Sequence, residues 1–299
     1  MHRQVIGDTL KDRRACKELS TNDRSRIMFR TTLTCAYVLS AIIAILTIVA
    51  SGGGLLIHDL YRDNVLVTAG WFGNDLVTLV VAVPMLVAAL NLSMRGSQRA
   101  QLVWLGMLDY TLYNFAFYLF GAAFNRFFLI YVAVFTLSIF ALIFGLAKLD
   151  VSAIGQKFHA KTPVKWISGF MLFVALGLTG VYFAQSLGFV ATGQLPPIII
   201  LTGHPTSVVF ALDLSLVVPF FVLGAIWLWQ RRPWGYVLAA IVNVKGAVYM
   251  LALSAVTVSV VQAGASEDLS QVALWGFIGA GSLIASLFLL GSLASAHDR

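Results

Sequence analysis

Lys245, in the run IVNVKGAVYM, is the residue of this chain with the most chemical potential. Counting about eleven residues from Trp234 along a helix places it roughly 16 Å into a bilayer, close to the midplane. An ammonium there costs on the order of 2.5–3.5 kcal/mol, so it must face a carboxylate or a wet cavity, or lose its proton. Two carboxylic acids are within reach. Asp213 is expected about six residues below the outer surface of the preceding helix, and Asp109 about seven above the inner surface of an earlier one, so Lys245 falls between them in depth. Asp213 is the expected first partner. Such a pair in low dielectric can hold or pass a proton, or it can be an inert tie between two helices.

A second group lies in DYTLYNFAFY. Tyr110, Asn114 and Tyr118 recur every four residues and share one helix face, with Asp109 and Tyr113 on the adjacent strip. Phenols and an amide in a row can line a solute pathway or bind a lipid headgroup or quinone, and they can equally join two helices. Asn243 is two residues from Lys245 and points nearly the opposite way, so the two do not form one site. Asp75, in GWFGND, is a third carboxyl close to an outer loop. His58 and His204 are the weakest candidates: with Asp59 and Asp63 nearby they could ligate a metal, yet no pair shows metal-ligand spacing. Cys16 and Cys35 form no disulfide framework and no C-x-x-C site. No cofactor is implied. No span carries a pair of midplane histidines for haem, no P-loop is present, and a retinal Schiff base on Lys245 has nothing else in the chain to support it.

The elements that must position these residues follow from composition. Of 299 residues, 59% are apolar and 11% are charged, whereas a soluble domain carries about 25% charged residues. The apolar stretches run nearly end to end, which predicts an all-α, polytopic transmembrane bundle. A span needs about 20 apolar residues, and the punctuation between stretches predicts eight helices, at 31–51, 70–92, 102–122, 127–147, 166–187, 207–229, 234–260 and 272–294. Segment 1–30 is a basic arm that mixes in acidic residues, reading as a cytoplasmic tail before an uncleaved anchor. Segments 31–147 and 166–299 form two halves of four spans each, joined by a basic linker at 148–165.

Orientation follows from Lys and Arg, which are retained in short cytoplasmic loops. With both termini inside, 17 of the 20 basic residues fall on the cytoplasmic side, leaving Arg62 and Arg126 outside and Lys245 within a helix. The charge of +7 is thus explained by topology and attraction to anionic headgroups, and a nucleic-acid partner is excluded. The two halves share an order of landmarks. Asp75, Pro84, the basic turn Arg95 to Arg99 and Trp104 are matched by Asp213, Pro219, Arg231-Arg232 and Trp234. This suggests a parallel 4+4 duplication, although the step from Asp to Pro differs and the topology rules alone generate basic turns with interfacial Trp. Gly276 with Ala280 and Gly281 with Ala285 permit close helix approach, within one chain or between copies.

These features lead first to a transporter of a small solute or ion, coupled to protons through Lys245, Asp213 and Asp109. The alternatives are a membrane-embedded enzyme acting on a lipid or isoprenoid, and an accessory or sensor subunit of a larger complex. Short loops and the basic edge suit a bacterial plasma membrane. Oligomeric state is left open.

Overall fold

The computed structural model describes residues 33–293; the N-terminal arm, Cys16, Arg299 and the outermost residues of the first and last predicted spans lie outside them. Ten helices and no named strand occur among the described residues: α1 (Leu33–Leu56), α2 (Val65–Met94), α3 (Gln98–Gly121), α4 (Phe128–Ala147), the short α5 (Val151–Gly155), α6 (Val164–Thr192), the short α7 (Pro197–Thr202), α8 (Val208–Trp229), α9 (Pro233–Gln262) and α10 (Ser270–Gly291). All but α3, α5 and α7 are long and apolar enough to cross a membrane. Their outward faces carry side chains such as Val190, Leu129 and Leu176, all more than two-thirds exposed. In water so much exposed apolar surface would drive aggregation; in a bilayer it is the ordinary outer face of an integral membrane protein.

Helix α3 is the informative exception. Its 24 residues span about 36 Å, enough to cross, but it carries Gln98, Arg99, Gln101, Asp109 and Asn114. It tolerates them because it is the inner helix, packed by α2, α4 and α9 and buried along most of its length. Eight helices of crossing length therefore form one all-α bundle, at nearly the positions predicted. The two short helices were not predicted: α5 and α7 are too brief to produce a periodic signal.

Local sequence explains the ends. Asn64 caps α2 by accepting from Val67 N at 3.0 Å, and Ser207 caps α8 by accepting from Phe210 N at 3.3 Å. Segment 148–165 is no loose linker. Asp150 caps α5, α5 packs on α9, Phe158 stacks on Tyr236, and His159 N donates to Ser292 O. Arg99 also donates to Leu293 O at 2.6 Å and Lys157 Nζ to Gln98 Oε1 at 2.9 Å, so this basic segment and the start of α3 meet in closely fitted chain.

The hairpins α2–α3 and α8–α9 repeat each other with one constant offset. Helices α2 and α8 each contain a single π-helical turn, Thr78–Ala82 and Asp213–Val217, followed by a 12-residue α-helical run that begins Val-Pro. Adding 135 to a number in the first hairpin gives its counterpart in the second. Gly96 matches Arg231, both at positive φ, and Gln98 matches Pro233, where the following helices begin. The turn hydrogen bonds match as well: Gly96 N to Ser93 O and Ser97 N to Leu92 O, against Arg231 N to Leu228 O and Arg232 N to Trp227 O. This register pairs Asp213 with Thr78 and Asp75 with Phe210, so the two aspartates are not equivalent positions, contrary to the match of Asp75 with Asp213 read from the sequence.

Candidate functional site

Lys245 sits twelve positions into α9, about 18 Å from its start. Its ammonium lies 3.9 Å from Asp109 Oδ2 and 3.9 Å from the centroid of the Tyr113 ring. The expected order of partners is thus reversed: Asp109, not Asp213, forms the ion pair. Helix α3 begins at Gln98 rather than near residue 102, which raises Asp109 to the level of Lys245. Asp213 stands about 24 Å along α8 from that helix's basic end, roughly 6 Å above Lys245 and beyond ion-pair distance.

Asp213 opens the π-turn of α8, where the extra residue per turn re-aims its side chain. There it accepts from Tyr113 Oη at 2.6 Å through Oδ1 and from Tyr182 Oη at 2.7 Å through Oδ2. Tyr113 therefore touches both groups, offering its ring face to Lys245 and its hydroxyl to Asp213. Tyr249, one turn beyond Lys245 on the same face of α9, packs edge-on against Tyr113 with centroids 4.8 Å apart.

Four of these residues, though neither Asp109 nor Tyr113, border a cavity of about 430 Å³, lined mainly by α6 to α10 and closed on one side by α2 and Phe117. Lys245 and Asp213 are among its lining residues, with Tyr182, Tyr249 and Ser282; at the opposite mouth stand Thr202, His204 and Gln271. Its walls are mostly apolar, and Trp71, Phe117, Phe210, Phe221 and Trp275 contribute aromatic surface. Volume and lining are those of a small-molecule site, with an apolar body and a few convergent polar groups.

The Tyr110, Asn114 and Tyr118 stripe faces elsewhere. It joins α3 to α2 through a closed network: Tyr110 Oη pairs with Thr78 Oγ1 at 2.8 Å, Asn74 Nδ2 donates to Asn114 Oδ1 at 2.8 Å and to Tyr118 Oη at 3.1 Å, and Tyr118 Oη donates to Asp75 Oδ1 at 2.8 Å. Tyr61 completes it by donating to Asp75 Oδ2. Burial, followed by the neighbouring Asp75 charge, pushes the Tyr61 phenol far above its ordinary value, so it remains a donor. All three stripe residues are at most 2% exposed and none lines the cavity. Asn74 is the exception in this network, since it also reaches the cavity wall. Asn243, as expected, turns away from Lys245 and donates to Ala239 O of its own helix.

His204 Nε2 lies 3.7 Å from Asp63 Oδ1 at the cavity mouth, while His58 is exposed and does not line the cavity. Asp63 is already committed, accepting from Trp71 Nε1 and Ala123 N. No group of three His, Cys, Asp or Glu converges among the described residues, so the two histidines are not brought together as metal ligands. Cys35 is a free, exposed thiol.

Tyr182, Tyr249, Tyr61, Asn74 and Thr78 were not singled out from the sequence. A helical-wheel count from Lys245 would have found Tyr249, four positions on, whereas Tyr182 and Tyr61 have no local signal. Comparison with known protein families, characterised proteins and solved structures gave no match, so the functional reading rests on this geometry.

Proposed function

We propose that this multi-pass membrane protein is a proton-coupled carrier for a small solute, with the cavity above Lys245 and Asp213 as its binding chamber. One observation carries the reading: a chamber of ligand size reaches from the His204 end to ionisable groups in the middle of the spans. A helix bundle needing only stability would fill that space with side chains, because both the void and the buried charges weaken it. The opposite end is shut by α5 and by the Arg99, Phe158 and Leu293 contacts. Access from one side only is what one state of an alternating carrier requires. The basic end faces the cytoplasm of a bacterial cell and the His204 mouth faces outward, in accord with the retention of Lys and Arg. The two halves are products of a parallel duplication, supported by the constant offset through both hairpins.

The test is flux. Wild type, Lys245→Met and Asp213→Asn are reconstituted into liposomes containing a pH-sensitive dye and challenged with ions, metabolites and lipophilic ions. Wild type is expected to move protons when its solute is added, and both variants to lose that movement while eluting as monodisperse protein. Equal flux in wild type and variants would defeat the role given to these residues.

A further inference from the structure

Among the described residues, four carboxyl or ammonium side chains lie deep within the spans: Lys245, Asp109, Asp213 and Asp75. Asp75 is sealed in its hydrogen-bond network and is not on the wall of this chamber. Lys245 and Asp109 cancel each other at 3.9 Å, with the Tyr113 ring taking part of the ammonium's field. That leaves Asp213 as the only carboxyl on the cavity wall among the described residues, with no cation within ion-pair distance. Its partners there are two phenols. A hydroxyl can donate or accept, so Tyr113 and Tyr182 can serve Asp213 whether it is ionised or protonated, by turning one O–H around. The surrounding wall is rich in aromatic rings, whose faces attract positive charge.

We infer that the solute is a lipophilic organic monocation, and that it and a proton compete for Asp213. The inference rests on the carrier reading above and adds the substrate's charge. With the chamber empty, the carboxyl, which has no ion-pair partner, holds a proton. When an organic cation enters between the rings, the Asp213 O–H bond breaks, the proton leaves through the chamber to water, and the cation takes over charge compensation. A single site that holds one or the other exchanges them across the membrane without needing a second coupling site. An organic anion is disfavoured, because Lys245 is already engaged and the anion would meet Asp213 at close range.

Tetraphenylphosphonium and tetraphenylborate have the same shape and opposite charge, and Trp71 and Trp275 on the cavity wall report occupancy. The purified full chain, in neutral detergent and minimal buffer, is titrated with each while tryptophan fluorescence and an indicator dye are followed. Phosphonium is expected to give a saturable signal with proton release, and borate none. Asp213→Asn should weaken phosphonium binding by about tenfold or more and abolish proton release. Saturable binding of borate equal to or tighter than phosphonium, in wild type alone, overturns the cation assignment while leaving a ligand chamber in place. Absence of saturation with either probe removes the cation assignment and the chamber together, and phosphonium binding without proton release overturns the competition.

Discussion

At the scale of single residues, the Lys245–Asp109 contact, with its lysine buried and its carboxylate 23% exposed, has the energetics of a largely desolvated pair: weak as a net stabiliser, costly to break from one side. Asp109→Leu leaves an unpaired ammonium at midplane depth and should destabilise the protein by up to about 3–5 kcal/mol, as Lys245→Met should from the other side, whereas Lys245→Met with Asp109→Leu should return most of that loss. Thermal unfolding in detergent of the two single variants and the double variant measures the coupling. If the double variant is as unstable as the worse single one, the two charges are not each other's partner. If it regains stability but carries no solute, the pair is present for function. The sequence made Lys245, Asp109 and Asp213 conspicuous, because charge inside an apolar run always needs an explanation. It did not reveal which carboxyl meets the lysine. That depends on where α3 starts, and the polar stretch Gln98 to Gln101 reads as loop unless one knows that the helix is enclosed by its neighbours. Tyr182 and Tyr249 were hidden for the opposite reason: tyrosine in an apolar helix is common and attracts no notice until a carboxylate stands beside it.

At the scale of elements, the helices were legible and their irregularities were not. Boundaries followed from charge punctuation to within a few residues, since a bilayer of fixed thickness enforces length. The π-turns of α2 and α8 left only Pro84 and Pro219 as traces, and proline alone does not announce an extra residue per turn. Close packing rests on glycine. A Cβ on Gly73 of α2 would stand 2.5 Å from Ala255 O of α9, and one on Gly106 of α3 would stand 2.7 Å from Val244 Cβ. Gly177 and Gly180 of α6 face open space. Gly73→Ala and Gly106→Ala are therefore expected to force α9 away from α2 and α3 and to cost about 1–3 kcal/mol each, while Gly177→Ala should be neutral or slightly stabilising through helix propensity. The measurement is the unfolding midpoint in detergent; equal effects at all three sites would show that helix propensity, rather than the α9 contacts, governs them. Asp268, before α10, shows the same local logic outside the membrane: hydrogen bonds from the Ser270 side chain and then its backbone N–H, the latter at 2.7 Å, hold its carboxyl below the usual range at the helix entrance.

At the scale of the whole molecule, the fold is a conflict between two solvents resolved by sidedness. Lipid covers the outer faces, where apolar side chains stand exposed, so the polar residues that the chain retains must be internal and must share few partners. The first half solves this with a sealed network around Asp75. The second half leaves its equivalent region open, and Asp213 and Lys245 stand where the register of the hairpins places Thr78 and Tyr110. If the two halves descend from one ancestor, a neutral hydrogen bond in one corresponds to charged groups beside a chamber in the other, and the asymmetry is where function entered. Sidedness gives a direct test of this view. In a background of Cys16→Ser and Cys35→Ser, single cysteines are placed at Val209 on the cavity wall, at Thr206 by its mouth, and at Gln230 in the turn at the basic end. A membrane-impermeant maleimide added to intact cells should label the cysteines at 206 and 209 and spare the one at 230. Inverted vesicles should give the reverse for 230, with 209 labelled only when substrate or a proton gradient shifts the chamber toward the basic end. Labelling of 209 from the basic side in resting vesicles would mean that the α5 and Leu293 contacts do not seal that end, and a chamber open at both sides is a channel rather than a carrier.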